Sequence, residues 1–221
     1  MPLTVVIFGA TGMVGQGVLR ECLLDADVAR VLTVGRRATG QQHPKLRELV
    51  VPDPGDLSSV AGELTGLDAC FFCLGVSAHG MTEAEYARIT EELTLRAART
   101  LVERNPAMTF IYVSGQGTDS TERGRQMWAR VKGRTENALL RLPFRGAYMF
   151  RPGVIQPMHG VRSSATITRL AYAALGPLVP LVRRVFPHAA TTTEQVGRAM
   201  LAVARRGYLR PVLNNRDINS L

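Results

Sequence analysis

At 221 residues, 46% of them hydrophobic, the chain can bury a proper core and suits one domain, 1–221. Its 27 basic against 18 acidic residues leave a formal charge of +9. The basic side chains are spread along the predicted helices (Arg96, Arg99, Arg104, Arg123, Arg125, Arg130, Arg134) with no aromatic RNA-binding motif, which argues against a nucleic-acid partner and for solvated helix faces.

In chain order, Leu3 to Phe8 is apolar and β-branched, the pattern of a buried strand. It runs into Gly9-Ala10-Thr11-Gly12-Met13-Val14-Gly15, after which Val14, Val18, Cys22 and Leu19, Leu23 repeat at helical spacing. Strand, glycine turn and helix in this order form a dinucleotide fingerprint. Gly9 permits the tight turn, Gly12 lets backbone amides approach a pyrophosphate, and Gly15 lets the helix pack on its strand. A second strand, Val31 to Val34, ends at Gly35-Arg36-Arg37. An acidic residue there would bind the ribose hydroxyls of NAD(H), whereas arginines fit the extra phosphate of NADP(H), so NADP(H) is expected in preference to NAD(H). The alternative for Arg36 and Arg37 is a solvated basic turn.

Leu46 to Val51 reads as a third strand with Asp53 just past its end, as an adenine or ribose contact or as an ordinary turn aspartate. Leu57 to Leu64 reads as a short helix, and Ala69 to Cys73 as a doubly covered strand leaving through Leu74-Gly75-Val76, where a ligand can lie across the sheet edge. Cys70 and Cys73 point to opposite faces of that strand, and His43, His79, His159 and His188 lack ligand spacing, so no metal site is expected. Thr82 to Glu85 is a capping box, opening a helix with Tyr86, Ile89, Leu93, Ala97 and Leu101 on one face and Asn105-Pro106 as its stop.

Met108 to Val113 is a fifth strand delivering Ser114-Gly115-Gln116-Gly117. A helix from about Glu122 follows, burying Trp128, Val131, Thr135, Ala138, Leu139 and Leu142, and then a sixth strand, Arg145 to Phe150, ends in Arg151-Pro152-Gly153-Val154. This alternation predicts an α/β doubly wound parallel sheet of Rossmann type, with 155–221 as a small helical substrate-side cover. Within that cover, 166–186 reads as two helical pieces, and Leu178, Val179, Leu181 and Val182 beside Arg183-Arg184 permit a peripheral membrane contact or a dimer contact. Thr191 to Glu194 is a second capping box, opening a last helix with Val196, Met200 and Val203 inward and Gly207 past its end. Three cysteines, Cys22, Cys70 and Cys73, cannot all pair, the apolar start lacks the features of a signal peptide, and no run spans a bilayer. A cytoplasmic location is expected, as a monomer or a homodimer.

The glycine turn, Ser114 after the fifth strand, Lys132 on the next helix and Arg151-Pro152-Gly153-Val154 after the sixth together resemble the atypical or extended short-chain dehydrogenases/reductases. Phe72-Cys73-Leu74-Gly75, Val131-Lys132-Gly133 and Phe150 to Val154 are most similar to the Tat-interacting oxidoreductase-like subgroup, over nearly the whole chain. The resemblance implies Ser114 and Lys132 as catalytic residues. It implies a cofactor site of Gly9, Ala10, Thr11, Gly12, Met13, Val14, Gly15, Arg36, Arg37, Asp53, Leu74, Gly75, Val76, Lys132, Pro152, Gly153 and Val154. The lysine would hold the nicotinamide ribose and lower a tyrosine pKa, and the serine would orient a carbonyl. Four residues before Lys132, however, where such enzymes carry that tyrosine, stands Trp128, whose indole cannot act as an acid or base near neutral pH.

Three readings follow. One is an oxidoreductase or epimerase-like enzyme on an unknown small carbonyl or hydroxyl substrate, with the proton supplied by Tyr112, Ser114, Tyr86 or His79. Another is a catalytically impaired nucleotide-binding regulator, and a third is a membrane-surface or protein-interaction module.

Overall fold

The computed structural model describes residues 2–161 and 189–221. Its centre is a seven-stranded, all-parallel sheet of β1 (Leu3–Phe8), β2 (Val28–Gly35), β3 (Leu46–Val50), β4 (Ala69–Phe72), β5 (Thr109–Val113), β6 (Gly146–Arg151) and β9 (Val212–Asn214). The strand order is β3-β2-β1-β4-β5-β6-β9, with the direction of winding reversing between β1 and β4. That is the doubly wound, Rossmann-like architecture the alternation predicts, and it puts a crevice at the carboxyl ends of β1 and β4.

Side chains two apart on each strand separate into two cores. On one face Val5, Ile7, Phe71, Ile111 and Phe150 pack with α1 (Met13–Leu24) and α5 (Thr193–Arg206) through Val18, Leu19, Val196, Met200 and Val203. On the other, Val6, Phe8, Cys70, Phe72, Phe110 and Tyr112 meet α3 (Leu93–Arg104) and α4 (Met127–Leu140) through Ala97, Leu101 and Leu139. Phe8, Phe72, Phe110 and Phe144 stack in a row across this second face, with centroids 4.9, 5.8 and 4.9 Å apart. Cys70 lies in this second core while Cys73 packs against the first, as the strand period requires.

Several boundaries differ from expectation, each for a local reason. The segment read as a helix at Leu57 to Leu64 is a 3-10 turn, Ser58–Glu63. The Thr82 capping box forms as expected and opens α2 (Glu83–Ala87), which passes through a π turn (Arg88–Glu92) into α3. Asn105 then ends the run, its side chain binding Leu67 N, Leu64 O and Leu101 O. The helix expected from Glu122 begins at Met127, because the Asp119 carboxylate accepts from Thr121 N and Gly124 N and Glu122 takes φ 64°. The second capping box does not form: Thr192, at the end of β8 (Ala190–Thr192), caps α5 singly by accepting from Gln195 N, while the Gln195 side chain donates to Ile218 O instead.

Within 155–221, α5 covers the first face against α1 and β9 adds the seventh strand, with α6 (Asn215–Asn219) after it. The described residues of 189–221 thus belong to the body of the fold. A small parallel pair, β7 (Val154–Gln156) with β8, stands beside the sheet. The two helical pieces expected at 166–186, with the apolar and basic residues 178–184, lie outside the described residues.

Candidate functional site

The first parallel strand delivers its backbone into a turn that only glycine allows. Gly9 has φ +76°, and a Cβ there would stand 2.7 Å from the backbone of Leu74 at the end of β4. Gly12 N donates to Gly9 O at 2.9 Å, closing the turn, and Gly12 is the N-cap of α1 with no side chain to satisfy the first amides. The next bonded amide is Gln16 N, to Gly12 O. Among the described residues, the amides of Met13, Val14 and Gly15 are therefore left with no backbone acceptor at a positive helix end. Gly15 is required for another reason, since a Cβ there would lie 2.1 Å from Gly9 O. At Gly12 a Cβ meets only Gly9 O, at 3.3 Å, a tight contact that a shift of a few tenths of an ångström relieves, so packing constrains Gly12 far less than Gly15. Ala10 is buried against the first core and Thr11 is exposed at the lip.

Around this turn the other expected residues fall at one edge of the sheet. Arg36 and Arg37 are exposed just beyond β2, with no ion-pair partner among the described residues. Leu74 packs against the second core, and Gly75 and Val76 are exposed beyond β4. Pro152 is buried with its carbonyl accepting from Gln116 N at 2.8 Å, Gly153 N donates to Asn215 Oδ1 at 2.9 Å, and Val154 is exposed. Asp53 behaves as the turn aspartate: Gly55 N donates to it at 2.8 Å and Arg96 Nη2 at 2.8 Å. First that backbone bond and then the guanidinium hold its carboxyl below the usual range.

Ser114 and Lys132 meet, although not as a serine and lysine facing one ligand. Lys132 Nζ donates to the Ser114 carbonyl oxygen, while the buried Ser114 hydroxyl donates to Phe150 O at 3.1 Å. Burial brings the Lys132 pKa down to about 8, the Glu136 carboxylate one turn on pulling it the other way. A lysine whose pKa is depressed on folding costs stability below the folded value, and that cost is relieved as pH rises toward the unfolded value. Denaturation of the wild type, compared with Lys132→Met, is therefore expected to show a wild-type deficit that shrinks between about pH 8 and 10. A difference constant with pH would contradict the depressed value. Trp128, one turn before Lys132, lays its six-membered ring over Gly117, where a Cβ would come within 3.2 Å of Cη2.

Of the alternative proton donors, Tyr112 is buried in the sheet and desolvation pushes its phenol far up. Tyr86 is buried and also raised, and His79 is exposed on the loop beyond β4.

Two features carried no sequence signal. Glu136, fully buried on α4, is gripped by Arg151 at the end of β6, with Nε donating to Oε1 at 3.0 Å and Nη2 to Oε2; Arg151 Nη2 also reaches Ser120 Oγ. Asn215, 3% exposed, holds Gly153 N by its oxygen, while its Nδ2 has no partner among the described residues. Each joins residues far apart in sequence, and neither pairing leaves a spacing to recognise.

A family model of the NAD dependent epimerase/dehydratase family matches residues 5–121, from β1 through the loop after β5. Among curated relatives, the protein fmp52-2, mitochondrial, of Aspergillus oryzae is 27% identical over 209 residues, 91% of this chain and 86% of the relative. Protein HTATIP2 of Rattus norvegicus is 27% identical over 154 residues, 69% of this chain and 62% of the relative, in keeping with the Tat-interacting resemblance. Among solved structures, the Bordetella bronchiseptica enzyme WbmF in complex with NAD+ superposes with a TM-score of 0.67 at 15% identity, over 99% of this chain and 76% of that one. A short chain dehydrogenase family protein from Francisella tularensis gives 0.69 at 9% identity, over 97% and 96%. The cytoplasmic expectation is corrected by these findings, because the fungal relatives are named as mitochondrial proteins and a reducing compartment inferred from unpaired cysteines does not distinguish the two. With a doubly wound parallel sheet, a glycine turn between β1 and α1, and a family model covering just over half its length, the chain belongs to the NAD dependent epimerase/dehydratase family, as an atypical short-chain dehydrogenase/reductase.

Proposed function

We propose that the protein binds NADP(H) across the carboxyl edge of its sheet and is an oxidoreductase or epimerase-like enzyme of small carbonyl or hydroxyl compounds. The observation that carries this reading is the turn at Gly9 to Gly15, where three amides without backbone acceptors among the described residues stand at the positive end of α1, beside a Gly12 that packing constrains far less than Gly15. An anionic pyrophosphate supplies the missing acceptors, and the absent Cβ supplies the room. The nicotinamide, when bound, supplies or accepts a hydride at the reacting carbon.

This chain's residues then bind and orient. Leu74, Gly75 and Val76 border the cofactor from the end of β4. Pro152, Gly153 and Val154 border it from the end of β6, with Asn215 fixing the Gly153 amide. Lys132 is placed to hold the nicotinamide ribose. Nucleic acid and a metal ion have no part in the proposal.

Arg36 and Arg37 decide the preference between cofactors, since neither has an ion-pair partner to surrender among the described residues. Charge-assisted bonds to a ribose phosphate are expected to favour NADPH over NADH by about 1.5–3 kcal/mol, roughly tenfold or more in affinity. Titrating the wild type and Arg36→Ala with both cofactors checks this. The variant should lose most of the preference while keeping its affinity for NADH, and equal affinities in the wild type would remove the role.

A second reading, a nucleotide-binding regulator without turnover, is favoured by Trp128 in place of an acid and by the Ser114 hydroxyl being turned to Phe150 O. Turnover separates the two, and the cofactor does not.

A further inference from the structure

The proposed enzyme lacks a proton donor where Trp128 stands, and the structure narrows what replaces it; this step rests on the nucleotide reading above. Tyr112 and Tyr86 are sealed in the core, and desolvation raises both phenols. The Ser114 hydroxyl spends its proton on Phe150 O. His79 is exposed on the loop after β4, and no hydrogen bond joins its ring to Ser114 or Lys132 among the described residues.

Lys132 remains. Its ammonium sits at the carboxyl end of β5, one helical turn from the indole that replaces the phenol, and is held by a neutral group, the Ser114 carbonyl. The carboxylate that acts on it, Glu136 on the same helix, is already bound through both oxygens by Arg151 from the end of β6, so among the described residues no acidic side chain is bonded to the ammonium. A carbonyl oxygen holds an ammonium in place without competing for its proton as a base. Burial outweighs the attraction of Glu136 and leaves the group titrating near neutrality, at about 8.

The composition points the same way. Of the 27 basic residues only Lys45 and Lys132 are lysines. Lys45 is structural, its Nζ donating to Leu23 O at 3.3 Å and Asp25 O at 2.7 Å at the end of α1. Arginine at 132 would carry the same charge but could not release a proton.

We propose that Lys132 is itself the proton donor and acceptor of the site, exchanging a proton directly between Nζ and the substrate oxygen in place of the absent phenol. In reduction, the carbonyl carbon gains the hydride of the reduced nicotinamide while its oxygen takes a proton from the Lys132 ammonium. The products are the alcohol, the oxidised nicotinamide and a neutral amine, which recovers its proton from water. Oxidation runs the same path backwards, starting from the neutral amine.

The test uses two readouts. Reductive 13C-methylation of a Lys45→Arg protein leaves Lys132 as the only labelled side-chain amine, and its NMR titration reads the ionisation without any turnover; a midpoint near 8 is expected. Reduction of 9,10-phenanthrenequinone by NADPH reads the chemistry. The wild-type rate should fall as pH rises through that same midpoint. Lys132→Arg should bind NADPH within about threefold of the wild type, by keeping its charge, yet lose roughly a hundredfold or more in rate together with the pH step.

A Lys132 midpoint near that of a free lysine overturns the proposal, as does a Lys132→Arg rate within about twofold of the wild type. NADPH binding with no quinone reduction by the wild type also overturns it, while leaving the nucleotide reading intact. Absence of NADPH binding removes both.

Discussion

Glu136→Ala is expected to cost the fold about 2–4 kcal/mol, because it leaves the Arg151 guanidinium, its side chain only 20% exposed, without its carboxylate. The native margin of a domain is only about 5–15 kcal/mol, so the variant should unfold at a much lower denaturant concentration or fail to accumulate. The loss comes less from the attraction of the pair than from the uncompensated charge that truncation strands. A double change, Glu136→Leu with Arg151→Met, removes both charges at similar volume and should recover most of the loss, since a largely buried ion pair traded for apolar side chains is often neutral. Urea midpoints of the wild type and the variants check this. A single variant within about 1 kcal/mol of the wild type would mean that water reaches Arg151 freely.

The glycine turn is expected to separate folding from binding. At Gly15 an added Cβ would fall 2.1 Å from the Gly9 carbonyl oxygen, a distance that only movement of the α1 backbone can relieve, so Gly15→Ala should lower thermal stability strongly and binding with it. At Gly12 the same methyl meets only Gly9 O, at 3.3 Å, a contact that a shift of a few tenths of an ångström relieves, in a backbone with φ −80° and ψ 164°, which any residue adopts. Gly12→Ala should therefore fold with a melting temperature within about 2 °C of the wild type, a shift below about 0.5 kcal/mol. It should nevertheless bind NADPH at least about tenfold more weakly, a penalty of about 1.4 kcal/mol or more, because the methyl stands where the diphosphate meets the amides. Thermal melts and cofactor titrations on the pair of variants read both quantities. A Gly12→Ala protein that binds as tightly as the wild type would place the diphosphate elsewhere.

The parts of the fold that the sequence made legible are those written locally. The β1 to α1 turn and the Thr82 capping box each depend on residues within a few positions of one another, and each forms as expected. The Asn105 stop also falls where expected, although its side chain adds distant bonds to Leu67 N and Leu64 O to the local one to Leu101 O. Where a distant or competing bond decides, the sequence misled. Asp119 holds the chain in a turn until Gly124 and so delays α4 to Met127, and Thr192 rather than Thr191 caps α5 because β8 pairs with β7 through Thr192. The three residues of β9 are too few to show a period, and they form a strand because β6 offers them an edge.

The site divides in the same manner. The glycines, the two arginines after β2 and the serine and lysine were visible as spacing, and the structure gathers them at one edge of the sheet. That the Ser114 hydroxyl turns inward to Phe150 O, that Asp53 is occupied by Arg96, and that Glu136 and Asn215 support the ends of β6 were not visible, because each is a contact between elements that only the fold brings together.

The central claim is that the backbone amides between Gly9 and Gly15 receive the diphosphate of a nicotinamide nucleotide. Calorimetric titration of the purified protein with NADPH tests it most directly. Saturable heat with one site per chain, weakened in Gly12→Ala while the fold persists, is the expected result; no heat with either oxidised or reduced nicotinamides at millimolar concentration would contradict the account.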